Sequence, residues 1–226
     1  MKKRINEEEE KPMTEEDLQE LLVTANESAL LKETLKELGN IFFMGEVNEE
    51  TANGLISSMI TYKELTEKSA EAEKEQEEEG GEAAEPTEPN PIKVYISTQG
   101  GNADDMFAIY DVMEMVKRSV PIQTIGLGKV MSAGVLLLAA GTKGKRKLGR
   151  NSRVMIHNVI TGHQGGLFHL ANELEEAEHI QQMYINAIAE NSNLTVKQLR
   201  KMVKTGQNVY LSAQEAIKYG IADELI

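Results

Sequence analysis

The chain has 226 residues, 40% of them hydrophobic but only 4% aromatic, with no Trp and 11 Met. It can therefore bury one aliphatic core, and it offers no aromatic platform for stacking single-stranded bases. The absence of Cys excludes a disulfide scaffold, a thiol nucleophile and a thiolate zinc site, and makes a reducing compartment the expectation.

The net charge of −13 is concentrated in two stretches. Residues 64 to 90 carry 11 Glu against Lys68 and Lys74, residues 1 to 17 carry seven acids against four bases, and the remainder is near neutral. That distribution has no basic face and speaks against nucleic acid as a partner. No apolar run has the length of a membrane span, and MKKRINEEEE lacks the apolar stretch of a signal peptide, so a soluble, cytoplasmic chain is expected, with no membrane partner.

In chain order, a charged arm precedes a helix signalled by Thr14 and Asp17, with Leu18, Leu21, Leu22, Ala25, Leu31, Leu35 and Leu38 at helical spacing and Gly39 and Asn40 as its stop. Residues 1–40 are thus read as an arm and N-terminal helix, apart from the domain at 41–226. Ile41 to Met44 reads as a strand, and Asn48 caps a helix with Ala52, Leu55, Ile56, Met59 and Ile60 on one stripe. The segment at about 66–90 is acidic and poor in apolar residues, and is expected to be a disordered insertion.

From Ile92 strands and helices alternate: KVYIS, a helix capped by Asn102, PIQTIGLG, a helix through VLLLAAG, RVMIH, and a long helix from about Leu167 to Glu190. Two more helices open at Thr195 with Gln198 and at Ser212 with Glu215, and Gly220 closes the last. This alternation predicts an α/β fold with mostly parallel strands.

Three features can carry chemistry. His157 ends the strand RVMIH, where a side chain points into a crevice as a general base or sits half-buried as a structural histidine. His163, His169 and His179 lie in a polar loop and helix without metal-ligand spacing. Ser132 stands where a strand gives way to an apolar helix, either a nucleophile facing the N–H groups of the helix start or a small residue packed at its entrance. Gly100 and Gly101 form either a tight turn or a donor to an oxyanion.

The run GKVMSAGVLLLAAGTKGKRKLGRNSRVMIHNV resembles the proteolytic-subunit family of the Clp proteases, the ClpP family, as do ISTQGGNADDMFAIYDVM and YLSAQEAIKYGIADELI. The resemblance implies a ClpP/crotonase-like spiral of β-α units with a protruding handle strand and helix, the handle falling on TGHQGG and the helix after it. It implies Ser132 as nucleophile, His157 as general base and the backbone N–H groups of Gly100 and Ala133 as oxyanion hole. The implied activity is a serine endopeptidase acting on unfolded polypeptide inside two stacked heptameric rings. The resemblance further implies a Clp-type AAA+ unfoldase that feeds the rings and uses the ATP, with no cofactor or metal expected in this subunit.

The sequence departs from the family pattern in three places. Asn208 stands where the triad acid belongs, just before the aromatic residue of YLSA; an Asn can orient the imidazole but brings no charge. The arm lacks the family's axial-loop sequence. Lys93 and Met115 replace aromatics of the ATPase-docking pocket, while Tyr95 is kept. These departures leave a second reading: a weakly active or inactive subunit that co-assembles with other, active ClpP subunits. A related enzyme acting on acyl-CoA thioesters is a third, more distant one.

Overall fold

The computed structural model describes residues 30, 34, 38–78, 89–204 and 206–226. The charged arm, most of the expected N-terminal helix and residues 79–88 of the acidic insertion lie outside the described residues.

The first unit is strand β1 (Asn40–Val47), helix α1 (Glu49–Glu78) and strand β2 (Ile92–Gly101). Asn48 caps α1 through its Oδ1, which accepts from the Thr51 N–H at 3.0 Å. The stripe of Ala52, Leu55 and Met59 is buried, and Tyr62, also buried, donates its hydroxyl to the Asn90 carbonyl at 3.0 Å, tying α1 to the entrance of β2. The helix does not dissolve near residue 66 as expected but continues to Glu78. Its Ala, Glu, Lys and Gln are strong helix formers, and Lys63 and Glu67 pair one turn apart at 2.6 Å. Charge without apolar content prevented burial there, not helix.

Helix α2 (Ala103–Val116) and strand β3 (Ile122–Met131) follow, then helix α3 (Ala133–Ala139), strand β4 (Lys147–Leu148) and strand β5 (Arg153–Ile156). Asn102 caps α2, its Oδ1 accepting from the N–H groups of Asp104 and Asp105. Helices α4 (Leu167–Asn191) and α5 (Val196–Lys204), strand β6 (Val209–Leu211), helix α6 (Ala213–Lys218) and strand β7 (Glu224–Leu225) complete the chain. The capping boxes at Thr195/Gln198 and Ser212/Glu215 both form, and Gly220 takes φ +67 after α6.

The strands form one sheet in the order β1-β2-β3-β4-β7, parallel throughout. At β3 the sheet forks. Ile125 and Gly126 pair with β4, whereas Lys129 to Met131 pair with β5, which in turn takes β6 antiparallel. Gly128, at φ +63, is the bend between the two branches. All seven residues of α3 are buried, so this short helix is the centre of the core.

The TGHQGG segment, expected as the handle strand, is paired with no described strand of this chain, and residues 157–166 are irregular. A strand needs a pairing edge, and no described strand lies alongside this segment. The helical half of the handle is present as α4, whose first half exposes Leu167, Phe168 and Leu174.

Candidate active site

Strand β3 delivers Ser132 to the N-terminus of α3. Its backbone sits at φ 53, ψ −121, the one positive φ of a non-glycine residue among the described residues. Such a conformation costs about 1–3 kcal/mol and persists only where the surroundings hold it. Here the Ser132 N–H donates to the Met155 carbonyl at 2.8 Å, tying it to β5. Its carbonyl accepts from the Val135 N–H at 2.9 Å and from the Tyr184 hydroxyl at 2.9 Å. Tyr184 is buried on α4, and burial pushes its hydroxyl well above the ordinary tyrosine range, so it remains a neutral donor. The side chain of Ser132 makes no capping bond and is left free for chemistry.

Gly100 backs directly onto this serine. At φ +100, a Cβ at this position would lie 2.5 Å from Ser132 Cβ and 2.9 Å from its Oγ. The turn therefore requires glycine for its conformation and for the close approach. Its N–H donates to the hydroxyl of the buried Thr98 at 2.9 Å, so an oxyanion would have to share or displace that bond. The Ala133 N–H lies at the start of α3, where N–H groups have no intrahelical partner and the helix dipole favours negative charge.

His157 follows β5 and is half-buried. With Gly100, Ser132 and Ala133 it lines one cleft of about 390 Å³, whose apolar wall includes Met106 and Tyr184. Four of the five residues singled out in the sequence thus meet. No hydrogen bond between Ser132 Oγ and His157 forms among the described residues. Such bonds are often long before substrate arrives.

The fifth residue, Asn208, stands apart in its side chain. The antiparallel ladder pairs Ile156 with Val209, and one step further places His157 and Asn208 against each other along the backbone. Yet Asn208 is exposed and its amide donates to the Tyr210 hydroxyl at 3.4 Å. His157 Nδ1 is buried without a hydrogen-bond partner among the described residues, so the imidazole lacks the acceptor that would fix its tautomer.

A sequence model described as Clp protease matches residues 82–226, more than half of the chain. The chain belongs to the Clp protease family. It is similar to the ATP-dependent Clp protease proteolytic subunit 1 of Corynebacterium glutamicum, 39% identical over 135 residues. That alignment covers 59% of this chain and 63% of the relative, so the chain spans less than two thirds of the relative's length.

Within this Clp protease family member, two residues that sequence reading missed support the site. Tyr184 braces the strained serine from 52 positions away, a distance at which periodicity carries no signal. Thr98 holds the Gly100 turn; it is the one polar side chain on the buried face of β2, after Ile92, Val94 and Ile96. Among the described residues no helix is long and apolar enough to cross a membrane.

Proposed function

We propose that the chain is a serine endopeptidase subunit cleaving unfolded polypeptide. The observation that carries this reading is the strained Ser132 turn at the head of α3, opening with His157 and Gly100 onto one cleft. In the proposed reaction Ser132 Oγ attacks the scissile carbonyl carbon while its proton passes to His157 Nε2. The charge gathering on the carbonyl oxygen faces the N–H groups of Ala133 and Gly100. Collapse breaks the C–N bond, His157 returns the proton to the leaving amine, and water hydrolyses the acyl-serine ester with His157 again as base.

The remaining features of the proposal concern assembly. Leu167 and Phe168 are 79% and 86% exposed at the start of α4, apolar surface of a kind monomers seldom leave bare. This supports self-association through the handle helix, as two stacked heptameric rings. Light scattering on the purified chain should give an oligomer; a sharp monomer peak would count against rings. Phe42 is exposed and stacks on Tyr95 with ring centroids 4.8 Å apart, an apolar platform on the sheet edge that supports docking of a Clp-type AAA+ ATPase despite Lys93 and Met115. The ATPase would consume the ATP, leaving this subunit without a cofactor, and a cytoplasmic setting accords with that partner.

A second reading is favoured by a specific observation. Among the described residues His157 Nδ1 has no hydrogen-bond partner while the Asn208 amide turns to Tyr210, as a weakly active or inactive subunit co-assembling with active ClpP subunits would show. A fluorophosphonate probe on the full chain separates the readings: labelling that disappears in Ser132→Ala marks an activated nucleophile, and its absence under assembly conditions leaves the second reading. Asn208→Asp is expected to raise peptide-ester hydrolysis at least about ten-fold, because a carboxylate can both orient the imidazole and stabilise its cation. No gain in an assembled Asn208→Asp protein would remove Asn208 from the site.

A further inference from the structure

Among the residues lining the catalytic cleft, Glu46 is the one acidic side chain. It is exposed, one residue before the buried end of β1 at Val47, and no ion pair joins it to another described residue. The cleft thus carries one acidic group without a close cation among the described residues to neutralise it.

The sheet register fixes where this charge stands. Glu46 is the ladder partner of Gly100, and Gly100 backs onto Ser132. Neighbouring strands are about 4.8 Å apart, so two strand spacings separate Glu46 from the nucleophile by about 10 Å. An extended peptide advances about 3.3 Å per residue. A substrate whose extended chain runs from Ser132 across Gly100 towards β1 brings the second or third residue from its scissile bond to the level of Glu46.

We infer that Glu46 is a specificity-determining residue which selects peptides carrying Lys or Arg two or three residues from the cleaved bond and rejects those carrying Asp or Glu there. The inference rests on the peptidase reading above, and it adds a charged subsite to a cleft whose remaining wall is apolar or neutral. The interaction is solvent-exposed, so the effect is moderate and weakens with salt.

Matched fluorescent peptides with Lys or Glu at the second or third position on either side of the cut test it in two ways. Binding is read by anisotropy on full-length Ser132→Ala protein, which needs no catalysis, and hydrolysis is read on the wild type. The Lys peptide is expected to be favoured about five- to ten-fold at low ionic strength, near parity in Glu46→Gln, and disfavoured in Glu46→Lys. Preferential binding of Lys peptides without hydrolysis would support the charged subsite while sinking the peptidase reading. Equal binding of Lys and Glu peptides, or a preference that survives Glu46→Gln, would overturn the inference whatever the activity.

Discussion

Gly100→Ala is expected to lower peptide hydrolysis at least about 100-fold, because its new methyl group meets the nucleophile itself. The added Cβ would fall 2.5 Å from Ser132 Cβ, 2.9 Å from Ser132 Oγ and 3.0 Å from the Met131 carbonyl. Ser132 cannot retreat easily, since its N–H is held by Met155 and its carbonyl by Val135 and Tyr184. The collision displaces the hydroxyl by a fraction of an ångström to an ångström, a misplacement that costs about two orders of magnitude in well-oriented reactions. Gly128→Ala is the matching control. It also places a side chain at positive φ, at +63, but its nearest contact is Ser97 Oγ at 3.8 Å. It should carry the conformational penalty of about 1–2 kcal/mol in stability without a comparable loss of turnover. Equal losses in the two variants would show that the effect is backbone strain and not contact with Ser132.

Arg146→Ala is expected to cost about 3–5 kcal/mol of stability, with a fall in melting temperature of roughly 10 °C. Arg146 is almost wholly buried and uses all of its fork. Nε and one terminal nitrogen donate to the two Asp223 oxygens at 2.9 and 2.5 Å. The other terminal nitrogen donates to the carbonyls of Ala139 and Asn191, the last residues of α3 and α4. A single cation thus joins the C-termini of two helices, where it suits their dipoles, to the chain end at β7. Burial alone would raise the Asp223 carboxyl, but hydrogen bonds and charge from Arg146, with the Gly144 N–H, hold it below its ordinary value. A lowered folded-state pKa contributes stability above the ordinary carboxylate range and loses it as pH falls through the lowered value. The gap between wild type and Arg146→Ala should therefore narrow below about pH 4. Arg146→Lys keeps the charge but not the fork and should recover only part of the loss. Thermal unfolding followed by circular dichroism at several pH values measures these differences; an Arg146→Ala protein within 1 kcal/mol of wild type would show the clamp to be dispensable.

The parts of this fold legible in the sequence are those decided within one helical turn. Asn48, Asn102, Thr195 with Gln198, and Ser212 with Glu215 announce helix starts because each side chain satisfies an N–H two or three residues away. The parts that were not legible depend on partners remote in the chain. Arg146 meets Asp223 and Tyr184 meets Ser132 only once the sheet has forked at Gly128. The continuation of α1 to Glu78 was hidden for a different reason: composition reports whether a segment can be buried, whereas helix propensity asks only what its backbone prefers. At the active site, residue types and the resemblance pointed to Ser132, His157, Gly100 and Ala133, which share one cleft. Asn208 stands just before β6, and its contact with the Tyr210 hydroxyl two residues on has no sequence signature.

The register of the sheet divides each central strand into two working lengths. Pairing is regular from Asn40 to Met44, from Ile92 to Ile96 and from Ile122 to Gly126, and both ladders slip beyond that level, between Met44 and Glu46 and between Ile96 and Thr98. Glu46, Thr98, Gly100 and Ser132 all lie past the slip. Tolerance to substitution should therefore change along a strand instead of between strands. In a saturation library sorted once for thermal resilience and once for turnover, the first half of β2 should dominate the first sort and its last four residues the second, although a single ten-residue segment encodes both.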